Sequence, residues 1–127
     1  MATLPQQLLL PTSHECISLL PSSTALATLE RQSPGQSGLG LVIAKSLAQL
    51  WQDFDHAVID SPPLLGVLMV NALAASQQLV IPVQTEHLAV KGLERMVSTL
   101  AMINRSRKQA LPYSIVSTLF DRRTQAS

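Results

Sequence analysis

The sequence predicts an α/β fold, a mostly parallel sheet with flanking helices. Short apolar runs alternate along the chain with segments of helical periodicity. Two of those runs, Ala57–Ile59 and Leu79–Val83, are continuous in polarity, as expected of strands buried on both faces. Polar or acidic residues follow each of them, Asp60 after the first and Gln84-Thr85-Glu86 after the second. Ligands bind beyond the carboxyl ends of strands in such folds.

The elements follow in order. Ile17-Ser18-Leu19-Leu20 reads as a strand closed by Pro21, which cannot donate to a ladder. Ser22-Ser23-Thr24 offers capping oxygens before a short helix over Ala25–Glu30. Gln32–Gly40 is rich in Ser, Pro and Gly and reads as a loop. Leu39, Ile43, Leu47, Leu50 and Phe54 share one helical face, which Trp51 widens. His56–Asp60 is a strand ended by an acid and by Ser61-Pro62-Pro63. Leu64–Ala75 is apolar almost all round and predicts a helix buried on most faces. After the Leu79–Val83 strand, Ala89, Leu93, Met96, Val97, Leu100 and Ile103 mark a long amphipathic helix, and Tyr113–Ser117 a last strand.

The 127 residues are enough for one domain. With 46% hydrophobic and 13% charged residues, the chain lacks the composition of a disordered segment. A net charge of +1 gives no case, on bulk charge, for a dedicated nucleic-acid or membrane-surface binder. The charge is uneven, net −3 over 1–60 and +4 over 105–127, where Arg105, Arg107, Lys108, Arg122 and Arg123 stand. Basic residues after a helix are commonly solvated and complement its dipole, so this cluster is a DNA contact or a solvated helix end. Cys16 is the single cysteine, which excludes an intramolecular disulfide and fits a reducing compartment. A small buried hydrophobe is its expected role. The start lacks a basic signal region, and the longest apolar stretch is short of the ~20 residues of a membrane span. The expected location is cytoplasmic. His14, His56 and His87 show no metal-ligand spacing, and no nucleophile elbow is present.

Asp60 is the most informative residue. An acid at the tip of a buried strand is what a nucleotide hydrolase uses to hold Mg²⁺, usually through water. The same residue type also caps helices or sits at a strand end without a ligand. Ser61-Pro62-Pro63 makes a stiff turn directly after it, because two prolines fix φ and remove two donors. That turn is either a γ-phosphate sensor or a plain strand-to-helix connection.

Three longer blocks discriminate further. Val58-Ile59-Asp60-Ser61-Pro62-Pro63, then Asn71-Ala72-Leu73-Ala74-Ala75, then the run from Ile81 through Glu86 to Gly92-Leu93, in this order and spacing, resemble the ParA/MinD family of partitioning and positioning ATPases. Phe120-Asp121-Arg122-Arg123-Thr124 resembles the Asp-Arg-Thr segment of ParA-type members. The resemblance runs over roughly residues 17–127 and implies the fold of a P-loop NTPase with a deviant Walker motif. It implies that Asp60 is the Walker B acid at the magnesium and that Ser61, Pro62 and Pro63 form switch II. The helix over Leu64–Ala75 would lie near the dimerisation face. Pro82, Gln84, Thr85 and Glu86 would line the nucleotide side and dimer face, and Thr118 and Asp121 the base-binding end. Arg122 and Arg123 are candidate contacts to non-specific DNA. In intact relatives the cofactors are ATP and Mg²⁺, and the partners are a second copy, nucleoid DNA and a ParB-like protein that stimulates hydrolysis.

The family's phosphate loop, Lys-Gly-Gly-x-Gly-Lys-Thr/Ser, does not occur in these residues. Gly35, Gly38 and Gly40 have no lysine until Lys45, so that stretch reads as a linker. The resemblance therefore implies one partial nucleotide-binding domain over residues 1–127, with an incomplete fold lacking the Walker A strand and the C-terminal part. The Asp60 strand would be left with an unpaired edge. Charge-assisted bonds to phosphate contribute about 1.5–3 kcal/mol each. Losing several erases micromolar affinity, about 8 kcal/mol in total. ATP and Mg²⁺ are thus expected not to bind this chain tightly, nor to be hydrolysed by it alone. Two alternatives stay open: a non-enzymatic module that dimerises or binds an intact ParA-like paralogue, and a relative of MinD or of the bacterial tyrosine kinases.

Overall fold

The computed structural model describes residues 4–22, 41–61, 66–121 and 123, which fall in two compact units, Met1–Ala75 and Ser76–Ser127. The predicted helix over Ala25–Glu30 and the loop over Gln32–Gly40 lie outside the described residues, as do Pro62, Pro63, Leu64, Arg122 and Thr124.

In the first unit, Pro5–Leu8 form a single helical turn, α1. Pro5 at its first position gives up an N–H that has no partner there anyway. Gln7 Oε1 accepts the Leu4 N–H at 3.3 Å. Leu10–Pro11 (β1) then pairs antiparallel with Ser18–Leu19 (β2), in the register Leu10↔Leu19. Thr12 closes the connection by donating its hydroxyl to the Ile17 carbonyl at 2.8 Å. The strand expected at Ile17–Leu20 is thus two residues long and pairs with a segment that the sequence leaves unassigned. Pro11 hides that partner, since a proline argues against a strand except at an edge. Cys16 is exposed rather than buried, because it stands in the turn between these strands.

Val42–Ala48 form α2, continued by turns through Asp53. Leu50 is buried, and Ile43, Leu47 and Phe54 are half-buried, which is the predicted stripe. Trp51 stays exposed. Val67–Ala75 form α3, which packs on α2 and buries Met69, Ala72 and Leu73. Gln6 Nε2 donates to the Gln49 carbonyl at 3.0 Å and ties α1 to the end of α2.

One expected strand does not form. No ladder includes His56–Asp60, and Val58 is 96% exposed. A strand exists only through a neighbour's backbone, and among the described residues none pairs with this run.

The second unit is a β-α-β arrangement. Leu79–Gln84 (β3) runs parallel to Tyr113–Thr118 (β4), in the register Leu79↔Tyr113 through Gln84↔Thr118. The connection is His87–Asn104 (α4), as parallel strands need a crossover. The predicted face of α4 is the covered one: Leu100 is buried, and Ala89, Leu93, Met96, Val97 and Ile103 are half-buried. Sheet burial departs from expectation. Leu79, Ile81 and Val83 are half-buried while Val80, Pro82 and Gln84 are exposed. Among the described elements of this unit α4 packs on β3, and the residues of β3 on the alternate face, Val80, Pro82 and Gln84, are the exposed ones.

The return loop is pinned at both ends. Leu111 is buried and donates its N–H to Asn104 Oδ1 at 3.0 Å, while Leu79 N–H bonds the Pro112 carbonyl. Arg107 donates from Nε to the Gln109 carbonyl at 3.1 Å and from Nη2 to the Ser76 carbonyl at 3.4 Å. This cation of the basic quarter therefore staples the loop.

Candidate functional site

The register of the second unit decides which predicted residues meet. Because Gln84 pairs with Thr118, the segments Gln84-Thr85-Glu86 and Thr118–Asp121 leave the sheet side by side, at the carboxyl ends of two parallel strands. Glu86 is the N-cap of α4, with β-region backbone, and its carbonyl accepts the Val90 N–H at 3.1 Å. Pro82 lies two residues before Gln84 on the exposed face, opposite Val116. Among the described residues β3 is bonded to β4 alone, the edge position at which a strand proline is tolerated.

Leu119 follows Thr118 with φ +53°. A leucine in the left-handed region costs about 1–2 kcal/mol, and both Leu119 and Phe120 are exposed. Sequence reasoning missed this corner, because leucine carries no turn signal.

Beyond it, Asp121 Oδ1 accepts the Arg123 backbone N–H at 2.9 Å, and its two oxygens meet the Arg123 guanidinium at 3.2 Å each. The guanidinium hydrogen bond foremost, and then the backbone one, hold the Asp121 carboxyl below the usual aspartate range. A depressed folded value means that the pair favours the folded state above the ordinary aspartate value. The contribution fades as pH falls through the lower folded value. We expect the Asp121 carboxylate, followed by NMR, to titrate below the ordinary aspartate range, and Arg123→Ala to raise its midpoint. An unchanged midpoint in the variant would remove the pair as the cause.

Asp60 and Ser61 belong to the first unit. They stand on the wall of a cleft of about 860 Å³, together with Ser18–Ser22, the Ile43, Leu47 and Leu50 side of α2, and Leu68 and Ala72 of α3. Both are exposed. The lining is mostly apolar, and its polar members are serines, His56 and Asp60. Among the described lining residues there is no lysine or arginine, and no three His, Cys, Asp or Glu side chains gather as metal ligands among the described residues. Asp60 alone could offer Mg²⁺ one carboxylate, but a triphosphate needs cationic donors, and no lysine or arginine stands among the described lining residues. The described residues therefore do not fit Mg²⁺-ATP by themselves.

A protein-family model described as an AAA domain matches residues 4–113. The chromosome partitioning protein ParA of Myxococcus xanthus is 32% identical over 119 residues, covering 93% of this chain and 42% of that protein. The sporulation initiation inhibitor protein Soj of Bacillus subtilis is 32% identical over 114 residues, covering 89% and 45%. The chain thus spans less than half the length of these curated relatives. Among solved structures, a cobyrinic acid a,c-diamide synthase from Mycobacterium smegmatis with bound ATP analog and magnesium superposes with a TM-score of 0.85 at 33% identity, over 98% of this chain and 49% of that one. A plasmid partition protein from Borrelia burgdorferi gives 0.79 at 24% identity, over 93% and 48%, a likeness of fold alone. No helix among the described residues is long and apolar enough to cross a membrane.

Proposed function

The chain belongs to the ParA-like AAA-domain family, and on that premise we propose that it serves in partitioning or positioning DNA or protein cargo. The observation that carries this reading is the parallel β3–α4–β4 unit, whose register sets Gln84-Thr85-Glu86 beside Thr118–Asp121 at the ligand-binding end of the strands. We assign Pro82, Gln84, Thr85 and Glu86 to the nucleotide side and dimer face, and Thr118 and Asp121 to the base-binding end. Asp60 is the acid for a water-mediated magnesium contact in a complete fold, with Ser61, Pro62 and Pro63 as switch II. Arg122 and Arg123 are the proposed contacts to non-specific DNA. A ParB-like stimulating protein and a cytoplasmic location belong to the same proposal.

This chain alone contributes the acid and the ligand end of the sheet without a phosphate loop of the family's pattern. The proposal is that these residues act with a phosphate-binding segment of ParA-like type, which a second polypeptide can supply. The test is direct. Purified chain is added to Soj of Bacillus subtilis with DNA, and ATP turnover and DNA retention are measured. A dose-dependent, several-fold change in either supports the proposal, and no change at large molar excess sinks it. Calorimetry with millimolar ATP and Mg²⁺ on the chain alone should show no saturable binding. Turnover abolished by Asp60→Ala would overturn the assignment of inactivity.

A further inference from the structure

The side of α4 turned away from its covered face carries a second pattern. Leu88, Gly92, Arg95, Thr99 and Met102 follow at spacings of four, three, four and three residues, which sets them in one row along the helix. Leu88 is 79% and Met102 66% exposed, Gly92 and Arg95 are exposed, and Thr99 is half-buried. Lys91, Ser98 and Arg105, at intervals of seven residues, flank the row and are exposed too. Ser98 and Thr99 donate their hydroxyls to the Glu94 and Arg95 carbonyls at 2.9 Å each, so neither needs an outside acceptor. Lys91, Arg95 and Arg105 form no ion pair among the described residues, and Glu94, the single acid of α4, lies off the row.

Gly92 is an independent observation. Glycine is the poorest residue for a helix interior after proline, yet nothing within this chain calls for it. Its backbone is helical, and a side-chain carbon there would meet no atom within 4 Å. A gap in an outward row, between exposed apolar residues at either end, is a place where another helix can approach closely.

We propose that this row seats an acidic amphipathic helix of a partner protein. Its apolar residues lie on Leu88, Gly92, Thr99 and Met102, and its carboxylates stand opposite Lys91, Arg95 and Arg105. An apolar seam with charged flanks is how paired helices select one another. Charge complementarity selects this occupant. A second copy of α4 would set cations against cations whichever way it ran. A nucleic-acid duplex carries a charge for about every 1.7 Å of its axis. Along the roughly 15 Å from Arg95 to Arg105 it would meet no cation of α4 and would press phosphates on Thr99 and Met102. The inference stands apart from the partitioning role, since it uses no residue assigned to nucleotide or DNA.

The probe is a synthetic amphipathic peptide with alanine and leucine along its seam and glutamates on its flanks. One control carries lysine at every glutamate position, and another is a short DNA duplex. By NMR of the whole chain, the glutamate peptide should shift the amides of residues 88–105. The double variant Arg95→Glu, Arg105→Glu should bind it roughly tenfold more weakly or worse. The lysine peptide should leave the parent chain unchanged and bind the double variant, an exchange that damage to the fold would not produce. Gly92→Gln should raise the melting temperature and yet weaken the glutamate peptide, also by roughly tenfold or more. Those opposite signs separate a blocked seat from a damaged helix. No shift with millimolar glutamate peptide would overturn the proposal, as would equal binding by the lysine peptide. Stronger shifts of the same amides by DNA would overturn it in favour of a nucleic-acid surface. Binding indifferent to Gly92→Gln would overturn it in favour of loose charge pairing.

Discussion

Leu100→Ala is expected to destabilise the Ser76–Ser127 unit by about 2–5 kcal/mol, enough to unfold much of it. Leu100 is 1% exposed and sits toward the C-terminal end of the covered face of α4. It is buried on the helix that packs on β3, and a two-stranded sheet is marginal without such packing. Leu111 is the other fully buried large side chain among the described residues, so little else can close over a cavity left at position 100. Met102, two residues further on, is 66% exposed, and Met102→Ala should stay within about 0.5 kcal/mol. Urea denaturation followed by circular dichroism reads both. A Leu100→Ala loss no larger than that of Met102→Ala would show that α4 does not hold this unit together.

Asn71→Ala is expected to cost about 1–3 kcal/mol in the Met1–Ala75 unit, although it removes only one amide group. Asn71 is 3% exposed. Its Oδ1 accepts the Ile43 N–H at 3.2 Å, and its Nδ2 donates to the Val67 carbonyl at 2.9 Å. Ile43 is the second residue of α2, whose N-cap Leu41 has no side-chain oxygen. The first amides of a helix lack intrahelical acceptors, so Asn71 of α3 performs from outside the work that a capping serine does from within. Alanine leaves that amide unpaired at a half-buried position, whereas a cap lost at the surface is replaced by water. Hydrogen exchange separates these effects. The Ile43 amide should lose protection in Asn71→Ala, and an exchange rate unchanged there would show that the bond does not cap α2.

The periodicity of residues 89–103 was sufficient to place α4 and its covered face, because a helix bonds within itself and its repeat is written locally. Leu79–Gln84 and Tyr113–Thr118 were nearly as plain, their apolar content and flanks agreeing with the parallel pair that forms. The same reasoning failed at His56–Asp60, whose composition is as strand-like as that of Leu79–Val83. It also failed at Leu10–Pro11, where a proline conceals a pairing partner. For the candidate site, the residue types at strand ends were legible. Their adjacency was not, since that depends on the register Gln84↔Thr118.

The sequence by itself determined the order of the helices and strands from α2 through α3, β3 and α4 to β4, the face that α4 turns inward, and the family to which the chain belongs, since each resides in short-range pattern or motif spacing. Tertiary structure alone decided that Ala57–Ile59 stays outside any ladder, that Val80, Pro82 and Gln84 of β3 are exposed, and that α2 is capped by an asparagine 28 residues away. The reason is physical. A strand edge, a covered sheet face and a borrowed cap each need a partner distant along the chain, and no local pattern specifies whether that partner arrives.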